Sequence, residues 1–128
     1  MKNEINGYAG LEYVVIKTDK KSIPFKTLLN LELDIARKIL AHYPLRGKEI
    51  SFLRKQIGLS CAKMSAEMNG DIDPSSISRL ERKSEERLSP VNEVYFRTYF
   101  LEKLKVDMNA KRSVLLPSKS DEIIELAG

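Results

Sequence analysis

Between residues 44 and 90 the chain is punctuated by Pro44, Gly58, the pair Asp73-Pro74 and the pair Ser89-Pro90. Proline has no amide hydrogen and holds φ near about −65°, so it suits the first turn of a helix and breaks its interior. Aspartate or serine just before it offers the oxygen that an exposed helix N-terminus needs. Whatever this segment folds into, it must be built from short helices that restart at residues 74 and 90.

Hydrophobic spacing fills the pieces between these marks. Leu31, Ile35, Ile39 and Tyr43 recur every four residues, flanked by Leu28 and Leu40, which predicts a leading amphipathic helix from residue 31 that stops at Pro44. A second helix runs from Gly47 to Gly58, with Ile50, Leu53 and Ile57 on one face and Lys48, Arg54, Lys55 and Gln56 mostly on the other. Ser60 caps a third, short helix that carries Met64 and Met68 one turn apart, with small Ala62 and Ser65 beside them. Residues 69–71 (Asn-Gly-Asp) make a turn and Ile72 is an apolar plug. The fourth helix starts at Asp73-Pro74, turning Ile77 and Leu80 inward and leaving its serines and arginines outside. The fifth, from Pro90 to about residue 104, carries Tyr95, Phe96, Tyr99 and Phe100, which cover more than one face and are open to two readings, pure core or in part a dimer contact.

Outside this block the pattern differs. Residues 11–17 (LEYVVIK) and 23–29 read as two short strands joined by a polar turn at 18–22, a hairpin or an extended segment. Beyond residue 105 the chain is polar and basic, with a short terminal helix as one option near residues 121–126. The expected organisation is an N-terminal β or extended segment at 1–30, a helical domain at 31–105 and a C-terminal tail at 106–128. The fold class is mainly α: five helices preceded by a small hairpin.

The 128 residues suffice for one domain with a core, and 42% hydrophobic against 31% charged residues is the balance of a folded globular chain. A single cysteine, Cys61, excludes an intramolecular disulfide and a multi-thiolate zinc site in one chain. No apolar run reaches the roughly 20 residues of a membrane span, and the opening Met-Lys-Asn-Glu lacks the apolar stretch of a signal peptide, so a cytoplasmic location is expected. One histidine, His42, and no glycine-rich phosphate loop leave few catalytic constellations to assemble, and no enzyme, metal or cofactor is expected. The net charge of +4 favours anionic partners. His42 reads as a surface residue at a helix end, and Cys61 as a small, half-buried side chain.

Two short helices joined by a turn, the second opening with small hydroxyls and an arginine, suit insertion into the major groove of DNA. Serine lets the backbone approach base edges, and arginine reaches a guanine bidentately or clamps a phosphate. Ser75, Ser76, Ser78 and Arg79 are the exposed candidates. The capped start at Ser60, with Lys63 in its first turn, offers amide donors to a phosphate. Arg46, Lys48, Lys55 and Arg82 are candidates for further phosphate contacts.

The stretch from Gly47 to Lys83 resembles the helix-turn-helix of the Cro and phage-repressor superfamily, the Xre type. The resemblance rests on FLRK before a glycine, the Leu59-Ser60 helix start and SSISRLER, which is similar to that family's recognition-helix pattern STISRWERG. The longer stretch that includes PLRGKEISFLRKQIGLS is similar to the carboxy-terminal half of MqsA-like antitoxins. This sequence departs in Cys61, where the family usually has glutamine, in a longer turn at 69–71, and in lacking the antitoxins' zinc-binding half. The resemblance implies a structural ion pair between Arg54 and Glu81. It also implies a homodimeric repressor or autoregulator that reads a palindromic operator in double-stranded DNA, or an antitoxin that binds a toxin protein and autoregulates its operon.

Overall fold

The structure is a computed structural model, and it describes residues 3–18, 23–104 and 124–127. Strand β1 (Asn3–Asn6) turns through a 3-10 segment at Tyr8–Gly10 into β2 (Val14–Thr18), and five helices follow: α1 (Phe25–His42), α2 (Gly47–Gln56), α3 (Cys61–Glu67), α4 (Pro74–Arg82) and α5 (Pro90–Leu104). A last strand, β3 (Ile124–Ala127), closes the order. The chain is mainly helical, with a small antiparallel hairpin at its N-terminus.

That hairpin is displaced from its expected place. β2 pairs antiparallel with β1, Ile5 opposite Ile16, and not with residues 23–29, which begin a helix. Pro24 accounts for the difference: it stands just ahead of the first helical residue, and Leu28 lies one turn before the apolar stripe of Leu31, Ile35 and Ile39. α1 therefore starts six residues before the expected 31. Its end falls where Pro44 demands it, with Tyr43 already extended.

The terminal segment is a second correction. Residues 124–127 form a strand, not a helix, and lie parallel to β2 with Val14 opposite Ile124. β2 is thus the middle of three strands, in the order β1-β2-β3. Parallel neighbours need a long crossover, and here all five helices lie within it. Val14, Val15 and Ile16 are buried in succession, as befits a strand covered on both faces. The remainder of the tail expected at 106–128 lies outside the described residues.

The core runs from β2 through α1 to α5: Leu11, Val14, Ile16, Ile35, Ile39, Leu40, Ile50, Leu53, Met64, Ile77, Phe96 and Phe100 form one cluster. Phe96 and Phe100 belong to it, whereas Tyr95 and Tyr99 are half-buried and Val91 and Val94 face outward. Arg97 of α5 is also buried. Its guanidinium donates to the carbonyls of Leu40 (2.8 Å), Tyr43 (2.7 Å) and Ile39 (3.2 Å) at the end of α1, where the helix runs out of amides to offer its last carbonyls. Glu93 lies 3.3 Å from it, accepts from the Leu45 amide, and is held from outside by Arg87 at 2.9 and 3.1 Å. Burial would raise the Glu93 carboxyl, but the Arg87 hydrogen bonds, the Leu45 amide and the neighbouring guanidinium charges outweigh it and hold the group below its ordinary range.

Candidate nucleic-acid interface

α4 packs against both α2 and α3. Each boundary has a local cause. α2 stops at Gly58, which takes the left-handed conformation that favours glycine. Ser60 caps α3 by accepting the Lys63 amide at 3.1 Å. Asn69 and Gly70 both have positive φ and turn the chain, while the Gly70 amide closes on the Ser65 carbonyl at 2.9 Å. The buried Ser65 hydroxyl then donates to the Ile72 carbonyl at 2.6 Å. The turn at 69–71 is therefore held internally, and Ser65 is a residue whose part the sequence alone did not reveal.

α4 begins with Pro74 in its first turn. Asp73 stands at the cap position, but its carboxylate accepts no backbone amide; it accepts the Ser76 hydroxyl at 3.4 Å. Ile77 is fully buried, and Ser75, Arg79 and Arg82, spaced to share the opposite face, are exposed. Ser76 and Ser78 flank that face and are half-buried, so they are less open than the sequence suggested.

The pair expected between α2 and α4 is formed. Arg54 Nε lies 2.6 Å and Nη2 2.8 Å from the two Glu81 oxygens, and Nη1 donates to the Leu59 carbonyl at 2.9 Å. Both side chains are largely enclosed, at 17% and 11% exposure. Cys61 joins this group, its thiol donating to Glu81 Oε2 at 3.8 Å. Burial first, and then the Glu81 charge, push the Cys61 thiol up, so it stays protonated and acts as a weak donor within the pair.

A second clamp ties the helix pair to α5. The Tyr99 hydroxyl donates to Glu67 Oε1 at 2.8 Å and Lys103 Nζ lies 2.5 Å from the same oxygen. The Tyr95 hydroxyl lies 2.8 Å from Asp71 Oδ2 and 3.3 Å from the Met68 carbonyl. The end of α3 and the following turn are thus anchored from behind.

Arg46 and Lys48 are engaged by carboxylates of the protein itself. Arg46 is engaged by Glu49 (2.6 Å), Glu12 (2.7 Å) and Glu85 (3.4 Å), and Lys48 by Glu12 (2.9 Å) and Glu85. Tyr13 donates to the buried Glu49 at 2.8 Å and stacks on Tyr43 with ring centroids 4.1 Å apart. These two cations fasten the turn before β2 to the start of α2, a task set by residues far apart in the chain. Lys55, Lys63, Arg79 and Arg82, in contrast, form no side-chain ion pair among the described residues. Lys83 is exposed one turn past Arg79, 4.0 Å from Glu86. Its i+4 spacing from Arg79 was the available signal for including it.

Among the described residues no group of histidine, cysteine, aspartate and glutamate is disposed to hold a metal ion, and no helix is long and apolar enough to cross a membrane. No protein-family model, curated protein or solved structure matches the chain.

Proposed function

We propose that this protein is a sequence-specific regulator of the Xre/Cro type that binds double-stranded DNA, with α4 as the helix that enters the major groove. The observation that carries the reading is the outer stripe of α4. Ser75, Arg79 and Arg82 lie opposite the buried Ile77, their guanidiniums unpaired among the described residues. Structural arginines in this chain, namely Arg46, Arg54, Arg87 and Arg97, are spent on carboxylates or carbonyls. Guanidiniums held out from a short helix, with Ser60, Lys63 and Lys55 nearby in sequence on α2 and α3, match what groove reading and phosphate anchoring need.

The protein acts as a homodimer on a palindrome, with half-sites about one helical turn apart, and carries out no catalytic step. Lys55, Lys63 and Arg82 are directed at phosphates and Arg79 at a base. Six phosphates neutralised per dimer give a slope of about −5 for log K against log salt. A gel shift on the DNA upstream of its own reading frame tests this; no preference over random DNA at moderate salt refutes it. Arg79→Ala relaxes specificity at one position by about 1–3 kcal/mol, whereas Lys55→Ala weakens all sequences alike.

A second reading is favoured by Phe25 and Leu29, an apolar pair one turn apart at the start of α1 that stands 75% and 47% exposed. In it the chain is an antitoxin whose N-terminal part covers a toxin while α4 autoregulates the operon. Co-purification of a small partner that Phe25→Ser releases supports it, and a monodisperse dimer alone counts against it.

A further inference from the structure

The start of α4 carries an arrangement that the DNA reading leaves unused. A helix N-terminus with free amides ordinarily welcomes a phosphate. Here Pro74 removes one of those amides, and the exposed Asp73 carboxylate stands at the cap position without accepting any backbone amide. Its one side-chain bond is to the Ser76 hydroxyl, which donates to it at 3.4 Å. That bond takes up the only hydrogen Ser76 has, so both groups turn acceptors outward. Asp71 next to them is already tied to Tyr95 at 2.8 Å. Asp73, Ser76 and Arg79 line one depression on this flank of α4, with Asn92 of α5 on its far side. Lys83 lines this depression as well, yet among the described residues Asp73 forms an ion pair with neither it nor Arg79, and the carboxylate set here repels a phosphate.

Resting on the regulator reading, we propose that Asp73 and Ser76 form an acceptor-only reader of a base amino group, selecting cytosine through its N4 hydrogen roughly two to three base pairs from the guanine read by Arg79. The choice among bases follows from the major-groove edges. Guanine and thymine present only acceptors there, apart from the thymine methyl, and would face the carboxylate unpaired. Adenine offers one donor but sets its N7 acceptor beside it, where a carboxylate is repelled and an amide side chain would fit. Cytosine alone presents a donor without an acceptor of its own. Six residues separate Asp73 from Arg79, about 9 Å along a helix axis, which spans roughly two to three base pairs at about 3.4 Å each.

The test is selection of bound sequences from random DNA with the full-length chain, run in parallel for the native protein, Arg79→Ala, Asp73→Asn and Ser76→Ala. The native protein enriches a motif with a guanine that Arg79→Ala loses, and a cytosine two or three base pairs away. Asp73→Asn, which exchanges an acceptor for a donor-acceptor amide, moves that one position toward adenine. Replacing this cytosine by N4-methylcytosine in a fixed operator weakens the native protein roughly 5- to 100-fold. This last arm needs no variant, so it decides the matter even where a substitution disturbs folding. A motif whose guanine depends on Arg79 but in which the methylated base binds equally well and Asp73→Asn selects the same sequence overturns this inference and leaves the regulator reading standing. No enriched motif from the native protein overturns both.

Discussion

Replacing Gly47 by alanine sets two opposed effects against each other. Gly47 is the first residue of α2 and is buried against the end of α4: a methyl built on its Cα lies 2.1 Å from the Leu80 carbonyl oxygen and 2.6 Å from that of Lys83. Ordinary contact begins near 3.4 Å, so the two backbones must part by about 1.3 Å. Helix propensity alone makes the change stabilising by up to about 1 kcal/mol. The clash opposes it. Overpacking costs about 1–3 kcal/mol. The displaced backbone also carries the bonds from the Gly47 amide to the Glu86 carbonyl (3.2 Å) and from the Lys48 amide to that of Ser84 (3.1 Å). Losing one adds about 1 kcal/mol. The net is a loss of about 1–3 kcal/mol, or a fall in Tm of roughly 4–12 °C at about 4 °C per kcal/mol for a domain of this size. Thermal unfolding followed by circular dichroism and calorimetry reads it directly. Gly58→Ala is the companion: it meets open space but sits at φ +69°, so it costs only the strain of that conformation, on the order of 1 kcal/mol. A Gly47→Ala protein that melts at or above the native temperature would refute the close approach of α2 and α4.

Other perturbations follow from the same packing. Glu81→Ala leaves Arg54 enclosed without its carboxylate and costs about 3 kcal/mol, near the low end for a buried pair because both side chains keep some water contact; an unchanged urea midpoint would show the pair to be incidental. Arg97→Met removes the guanidinium from the carbonyls of Ile39, Leu40 and Tyr43 and takes one of its cations from Glu93, which keeps Arg87 and the Leu45 amide, a loss of about 3 kcal/mol, visible as early exchange of amides at the end of α1. Acid acts through depressed carboxyls. Glu12, which burial would raise, is brought down to about 2 by hydrogen bonds from Arg46 and Lys48, and Glu93 is lowered as well. A carboxyl that is more acidic when folded stabilises the fold above its unfolded pKa and loses that contribution as pH falls through the folded value. Stability therefore declines from about pH 5 to pH 2, and Glu93→Gln flattens part of that decline; a midpoint constant across this range would contradict the pairing.

Much of the candidate site was readable because its determinants are local. Asp73-Pro74 and Ser89-Pro90 mark helix starts through constraints acting within one turn, and α4 and α5 begin at Pro74 and Pro90. Ile77 inward and Arg79 outward follow from helical periodicity alone. Reading failed where two local signals competed. Residues 23–29 are rich enough in apolar side chains to pass for a strand, and Pro24 decided for a helix because a proline ahead of a helix costs nothing there.

By itself the sequence determined the helix breaks between residues 44 and 90 and the cationic outer stripe of α4, because caps, prolines and spacing are properties of neighbouring residues. Only the tertiary structure decided which charges remain available. Arg46 and Lys48 look like Arg82 and Lys55 along the chain, yet they meet Glu12 and Glu85, more than thirty residues away on either side. It likewise placed residues 124–127 beside β2, since strand partners are chosen across the whole chain by which apolar edge is left to cover. A cation's local sequence states its charge, but the distant carboxylates that fold against it decide whether that charge is spent within the protein or offered to another molecule.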